Sequence, residues 1–181
     1  MNETPYSSWD EAVSELYEFV RCKVEDSDED YILCGNSMGA YLVYSVRKMI
    51  DSLGFKKPAH LFFIAANPNV SPDVLSLDVL EENNAKLFAL RESKYYKVCI
   101  APMIMNDFKI LKMSDNMFTA PIDNDFTVMY GSGDNIIKKS DSFNWGNIAL
   151  GEYKVLNFDG DHLFLLTNES AAVSIISETG I

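Results

Sequence analysis

A serine bracketed by two glycines, Ser37 in the segment GNSMG (residues 35–39), lies between a short apolar run and a helical pattern. Residues 31–34 before it are typical of a buried strand, and residues 40–50 after it have helical spacing. The segment fits G-x-S-x-G, in which a sharp strand-to-helix turn exposes a serine nucleophile. Such a turn crowds its own backbone, so we expect glycine to be required on both sides. An ordinary loop can carry the same letters, but the flanking patterns favour the nucleophile.

The composition indicates a single globular domain in a reducing compartment. Of the 181 residues 48% are hydrophobic, yet no apolar run reaches the ~20 residues that a membrane helix needs. The first residues have neither the basic segment nor the apolar core of a signal peptide. The three cysteines are widely spaced and odd in number, which predicts no disulfide framework. We therefore expect a cytoplasmic protein that does not bind membranes.

The charge of the chain argues against a nucleic-acid partner. The net charge is -12, whereas binding a phosphate backbone requires clustered Lys and Arg. The acidic run at residues 25–30 is most simply a solvated loop, because the ligand spacing of an EF-hand is absent. The sequence predicts neither a metal site nor a cofactor.

Predicted strands alternate with predicted helices, which indicates an α/β fold with a mostly parallel sheet of about four strands. Ser8 and Glu11 form a capping box at the start of the first helix, and Gly54 ends the helix that follows the serine. The predicted strands are residues 31–34, 60–66, 125–130 and 153–158, and the predicted helices are residues 8–24, 38–53 and 163–178.

Residues 71–118 look helical and amphipathic, without a convincing strand. Methionines are concentrated near the end of this segment, at Met103, Met105, Met113 and Met117. Ordinary core filling explains them most simply, and a mobile lid over an acyl-binding groove is the alternative, since Met fits irregular apolar surfaces. We predict a helical lid insertion within one domain that spans residues 1–181.

Three loops that follow predicted strands each carry one candidate catalytic residue: Ser37, Asp134 and His162. In a parallel sheet the loops beyond the carboxyl ends of the strands meet at one edge. The chain order Ser, Asp, His is that of α/β-hydrolases, with the histidine as base and the aspartate holding its imidazole. The backbone N–H of Met38 is the expected oxyanion donor.

Simpler explanations exist for each residue. Asp134 could be a turn residue, and His162 could cap the last helix. Asp159 and Asp161 are rival acids because they are close to His162 in sequence. The other histidine, His60, begins a predicted strand and is interpreted as structural.

Several stretches resemble the type II thioesterases, the stand-alone α/β-hydrolases that serve nonribosomal peptide and polyketide synthases. Residues 5–17 resemble the helix before the nucleophile turn, and residues 58–62 resemble the strand after it. GNSMGA resembles the family's G-H-S-M-G-A with Asn36 in place of His, and PMIMNDF resembles P-x-x-R-A-D-F with Met105 in place of Arg. GSGD resembles the acid loop, and FDGDHLFL resembles F-x-G-G-H-F-F-L with Asp161 in place of Gly.

The resemblance implies a Ser37–His162–Asp134 triad that hydrolyses acyl or aminoacyl thioesters. The acyl groups would be carried on the phosphopantetheine arm of a carrier protein, as in editing during antibiotic biosynthesis. Two alternatives remain open: a general carboxylester hydrolase, and an inactive fragment that acts as an interaction module.

Members of that family carry further residues before the part that matches, so the resemblance implies an N-terminally truncated domain. Those residues supply early strands and the loop that gives the second oxyanion donor. Without them the strand before Ser37 would present an unpaired edge, which invites pairing with another chain. Three outcomes are therefore open: self-association through this edge, a separate chain that completes the sheet, or a fragment that folds poorly.

Overall fold

The computed structural model describes residues 4–68, 75–114 and 120–179. Four parallel strands form one sheet in the order β1-β2-β3-β4. Helices lie between the strands along the chain, so the predicted α/β fold is confirmed. The elements are α1 (Trp9–Val24), β1 (Ile32–Asn36), α2 (Met38–Leu53), β2 (His60–Ile64), α3 (Leu77–Glu82), α4 (Ala85–Leu90), α5 (Ala101–Leu111), β3 (Phe126–Gly131), β4 (Tyr153–Phe158) and α6 (Glu169–Thr179).

The predicted helix ends at Ser8 and Gly54 agree with the structure, although the capping box differs in one bond. The Ser8 hydroxyl accepts from the Glu11 N–H at 3.2 Å, as a capping residue does. The Glu11 carboxylate accepts from the N–H and the hydroxyl of Ser7, however, and not from Ser8. Gly54 follows α2 in the left-handed region, with φ 65°, which ends the helix as predicted.

The sheet separates two apolar clusters of unequal size. Alternate side chains of β2 point to opposite faces, so Leu61 and Phe63 join the larger cluster while Phe62 and Ile64 join the smaller one. The larger cluster also contains α1, α2 and the fully buried Trp145, whose ring stacks on Phe63. This packing holds α2 rigidly against the sheet, and the start of α2 is where Ser37 lies.

The described part of the segment between β2 and β3 is mainly helical, as predicted. It contains α3, α4, a π-helical turn (Tyr96–Ile100) and α5. The interpretation of its methionines as core residues is wrong for Met103, Met105 and Met113, which are each about half exposed. Residues 71–74 and 115–118 of the predicted insertion, including Met117, lie outside the described residues. Movement of this segment as a lid stays a prediction.

Two elements differ from the sequence prediction. Residues Lys139–Asn147 form an unpredicted 3-10 helix between β3 and β4. The predicted last helix, residues 163–178, is divided into a short 3-10 turn (Phe164–Leu166) and α6. The 3-10 turn directly follows the loop that carries His162, and it is separate from α6.

The surface carries two features that matter below. β1 pairs with β2 on one side, and its other edge faces no strand among residues 4–68, 75–114 and 120–179. All three cysteines are free and exposed, including Cys34 on β1 and Cys22 on α1. None of the described helices combines the length and the apolar character needed to cross a bilayer.

Candidate active site

Ser37 occupies a strained turn between β1 and α2. Its backbone has φ 53° and ψ -119°, a conformation that residues other than glycine rarely adopt. The Ser37 N–H donates to the Ile64 carbonyl at the end of β2, at 2.8 Å. This bond to the neighbouring strand holds the turn in place, so the hydroxyl is presented at the carboxyl edge of the sheet.

The two glycines around Ser37 are not equivalent. A Cβ at Gly35 would lie 2.1 Å from the Gly39 carbonyl oxygen, a distance that no structure tolerates. A Cβ at Gly39 would meet nothing within 4 Å. The expectation that both positions need glycine is therefore right for Gly35 and wrong for Gly39. The strand and the helix approach each other most closely where the Cα of Gly35 faces the backbone of Gly39.

Asp134 and His162 come from the loops after β3 and β4. The Gly133 N–H donates to the Gly160 carbonyl at 2.9 Å, which ties the two loops together. A Cβ at Gly131 would lie 2.4 Å from the Gly160 oxygen, so the loops approach as closely as they do because Gly131 has no side chain. Gly160 has φ 135°, a conformation suited to glycine. These contacts set the separation between Asp134 and His162.

The structure brings Ser37, His162 and Asp134 into one chain of hydrogen bonds. His162 Nε2 lies 2.9 Å from Ser37 Oγ, and His162 Nδ1 lies 2.9 Å from Asp134 Oδ2. The other oxygen of Asp134 accepts from the N–H groups of Ile136 and Ile137 at 2.8 and 2.9 Å. The carboxylate therefore has a fixed orientation, which favours the tautomer with the proton on Nδ1 and leaves Nε2 free to accept the serine proton.

Burial separates Asp134 and His162 from solvent. Asp134 and His162 are 6% and 2% exposed, whereas Ser37 is partly open to the surface. The carboxylate that hydrogen-bonds to the imidazole compensates the positive charge that the ring gains when it accepts the serine proton. The arrangement can therefore remove a proton from the serine hydroxyl and hold it.

The rival acids have other partners. Asp161 accepts from the side chain of Asn84 at 2.8 Å and from the Leu163 N–H at 2.8 Å, which shapes the loop around His162. Asp159 contacts the Ser132 hydroxyl at 3.4 Å. His60 lies at the opposite, amino end of the sheet, with Nε2 2.9 Å from Thr127 Oγ1. The structural interpretation of His60 agrees with this position.

The N–H of Met38 is placed at the N-terminus of α2. Met38 is the first residue of that helix, where N–H groups have no carbonyl partner within the helix. The helix dipole adds positive potential at the same point. Both features suit a developing negative charge on a substrate oxygen bound beside Ser37.

A cavity of about 470 Å³ opens beside Ser37 and His162. Its walls are mostly apolar, from α2, α3, α4, α5 and the histidine loop, with Leu42, Leu80 and Phe108 among them. Asp107 of α5 and Asn36 of β1 are polar exceptions. Within the described residues, no three His, Cys, Asp or Glu side chains are grouped so that they could hold a metal ion.

Two residues at this site received no role from the sequence, although Asp107 lies in the PMIMNDF segment that resembles the family motif. Asn84 is the N-cap of α4 and also holds Asp161, and nothing in its neighbourhood in the sequence predicts that second contact. The position of Asp107 in the cavity wall was predictable, because it follows Met103 and Ile104 at helical spacing on the apolar stripe of α5. A carboxylate within such a stripe is the signal that was missed.

The fold is shared with solved thioesterase structures. The type II thioesterase BorB from the borrelidin biosynthetic cluster superposes with a TM-score of 0.71 at 23% identity, over 97% of this chain and 72% of its own. ClbQ from the colibactin NRPS/PKS pathway gives 0.75 at 20%, over 95% and 76%. The RedJ thioesterase from the prodiginine pathway in Streptomyces coelicolor gives 0.73 at 24%, over 90% and 67%.

No protein-family model and no curated protein sequence matches the chain. The likeness to solved structures lies below 25% identity in these three cases, and it shows the α/β-hydrolase fold of type II thioesterases. The resemblance seen in the sequence is thus confirmed for the fold.

Proposed function

We propose that this protein is a serine thioesterase that hydrolyses acyl or aminoacyl thioesters through a triad of Ser37, His162 and Asp134. The observation that carries the proposal is the hydrogen-bonded chain from Asp134 through His162 to the Ser37 hydroxyl, with both distances at 2.9 Å. It lies at the mouth of an apolar cavity, in a fold shared with type II thioesterases.

In the first half of the reaction the Ser37 oxygen attacks the thioester carbonyl while His162 Nε2 accepts its proton. Asp134 stabilises the imidazolium, and the Met38 N–H donates to the oxygen that becomes negative. The carbon–sulfur bond then breaks. The departing sulfur takes the proton from His162, which leaves the acyl group esterified to Ser37.

In the second half a water molecule attacks the acyl-serine carbonyl, and His162 accepts its proton. The ester bond to Ser37 breaks, the proton returns to the serine oxygen, and a carboxylic acid is released. Partly exposed Ser37 beside an open cavity gives water access to this intermediate. The result is hydrolysis of a thioester to an acid and a thiol.

The thiol in this proposal is the phosphopantetheine arm of a carrier protein, and the biological role is removal of wrong or stalled acyl groups in nonribosomal peptide or polyketide synthesis. Exposed Met103 in the cavity wall supports it, because methionine adapts to ligands of different shape. Editing requires that kind of tolerance.

The test compares two substrates with one acyl group: an acyl thioester on a phosphopantetheinylated carrier protein, and a simple ester of the same acid. We expect kcat/KM to be higher for the carrier thioester, and Ser37→Ala to abolish its turnover. Faster turnover of the ester would favour a general carboxylester hydrolase. No turnover of either substrate, with the wild type indistinguishable from Ser37→Ala, would favour the non-catalytic interaction module.

A further inference from the structure

Asp107 is a carboxylate on the apolar, cavity-facing side of α5. It lies three and four residues after Ile104 and Met103 and one residue before Phe108, and all four line the cavity beside Ser37. The other polar side chains of the wall belong to Ser37, His162 and Asn36. Asp107 is therefore a carboxylate within a mostly apolar binding surface, in the cavity that Ser37 and His162 also line.

The carboxylate of Asp107 has no hydrogen bond and no ion pair with any residue that the structure describes. Among the described residues, the wall has no lysine and no arginine that could neutralise it. Burial raises the pKa of Asp107 above its ordinary value, because the charged form is partly removed from water without compensation. A cation that enters the cavity would supply the missing partner.

Asn36 adds a second unused acceptor to the same wall. Its side-chain oxygen is buried and has no hydrogen-bond partner. The terminal torsion of an asparagine rotates easily, so this oxygen can turn to a donor in the cavity. Leaving such a group unpaired is costly in the free protein, and a ligand with N–H donors relieves that cost.

We propose that Asp107 selects acyl groups that bear an ammonium group, so that the enzyme prefers aminoacyl thioesters over uncharged acyl thioesters of the same shape. The proposal rests on the thioesterase function above and names its substrate class. The ammonium pairs with Asp107 and the apolar walls contact the side chain of the amino acid. Asp107 acts through substrate binding and takes no part in proton transfer to or from Ser37.

The test uses two N-acetylcysteamine thioesters that differ only in the amino group: the thioesters of L-leucine and of 4-methylpentanoic acid. For the wild type we expect kcat/KM to be higher for the leucyl thioester. Asp107→Asn should lower the ratio of the two kcat/KM values by about 10- to 100-fold, the loss of one hydrogen bond to a charged group. Asp107→Glu keeps the carboxylate and should retain the preference for the leucyl thioester.

Asp10→Asn is the matched control, because it removes an exposed carboxylate on α1, which does not line the cavity. It should leave both kcat/KM values unchanged. If Asp107→Asn lowers both thioesters equally, the residue supports the fold or contacts the pantetheine arm, and the proposal is overturned. A wild type that prefers the 4-methylpentanoyl thioester overturns it as well.

A binding measurement separates this proposal from the thioesterase function. Calorimetry of Ser37→Ala compares L-leucinamide with 4-methylpentanamide, which needs no turnover. Tighter binding of leucinamide that is lost in Ser37→Ala/Asp107→Asn supports ammonium recognition even if the wild type hydrolyses neither thioester. Equal binding of the two amides contradicts it, whatever the hydrolysis assay gives.

Discussion

The carboxylate of Asp134 is fixed by three contacts before any substrate arrives. Two backbone N–H groups, from Ile136 and Ile137, hold one oxygen, and His162 Nδ1 faces the other. The geometry therefore assigns different tasks to the two oxygens: one orients the acid, and the other orients the imidazole toward Ser37. The sequence predicts Ser37, Asp134 and His162 from their positions after strands. The contacts within the loops are needed to choose Asp134 over Asp161 as the acid.

Asp134→Asn tests the acid. The variant keeps the size of the side chain but removes the charge and offers His162 a donor, so the imidazole adopts the wrong tautomer. We expect kcat for a thioester to fall by about 10⁴-fold, the effect that this change has in serine proteases. The measurement is steady-state hydrolysis of an N-acetylcysteamine thioester, with unchanged circular dichroism as the check on folding.

Asp159→Asn is the control for that variant, because Asp159 is close to His162 in sequence and, among the described residues, its side chain hydrogen-bonds only to Ser132. It should keep kcat within about twofold of the wild type, as surface substitutions usually do. If Asp159→Asn were the more damaging variant, the assignment of the acid would be wrong.

The glycines around Ser37 give a prediction about stability. Gly35→Ala places a Cβ 2.1 Å from the Gly39 oxygen, so we expect it to lower the free energy of unfolding by more than about 3 kcal/mol. Gly39→Ala fills open space inside α2 and should raise it by about 0.5–1 kcal/mol. Urea unfolding measures both. Equal effects of the two variants would show that the turn is not packed as described.

At the scale of elements, the strong periodic patterns were predictable and the irregular ones were not. The β1 to β4 strands and the α1 and α2 helices follow from apolar runs, caps and the glycine at residue 54. The 3-10 helix at Lys139–Asn147 has weak amphipathic character, so its short turns carry no period that a sequence could reveal. The cavity walls from α3, α4 and α5 depend on long-range packing, which one sequence does not encode visibly.

An ion-pair cluster joins α2 to the segment just before β3, and it gives a prediction about the pH dependence of stability. The Lys57 ammonium hydrogen-bonds to Asp123 and lowers the pKa of its carboxyl. The buried Arg47 guanidinium, with Nη2 2.6 Å from Asp123 Oδ1, lowers the same pKa further. Because the folded-state pKa lies below the unfolded one, the contribution to stability is present above about pH 4 and is lost as the pH falls further. The side chain of Asp123 is half exposed, so its contribution to the free energy of unfolding is less than about 1 kcal/mol.

Asp123→Asn should therefore lower the urea midpoint at pH 7, and the difference from wild type should shrink as the pH falls below about 4. Asp26→Asn is the control, since exposed Asp26 lies in the acidic loop and forms no ion pair among the described residues. A difference for Asp123→Asn that grows as the pH falls would contradict the sign of the linkage.

At the scale of the whole molecule, the free edge of β1 is the feature with the clearest consequence. Its outer N–H and C=O groups face no strand in the described part of the chain, and such an edge can pair with another chain. We propose that this edge mediates self-association or binds a completing chain. Cys34 lies in the middle of β1 and is exposed, so it is a convenient position for a test.

Cys34→Lys should reduce self-association, because a lysine on an edge strand opposes pairing. Cys22→Lys adds the same charge to exposed α1 and should leave association unchanged. Sedimentation velocity over a range of concentrations measures the effect. A wild-type chain that stays monomeric throughout, with no added chain binding to it, would contradict a role for this edge.

The central claim is that Ser37 is a nucleophile activated by His162. Labelling with a fluorophosphonate probe followed by peptide mass spectrometry tests it most directly, because the probe reacts only with an activated serine. The account predicts one modified residue, Ser37, in the wild type and no labelling in His162→Ala or Ser37→Ala. Absence of labelling in the wild type, or labelling that persists unchanged in Ser37→Ala, would contradict it.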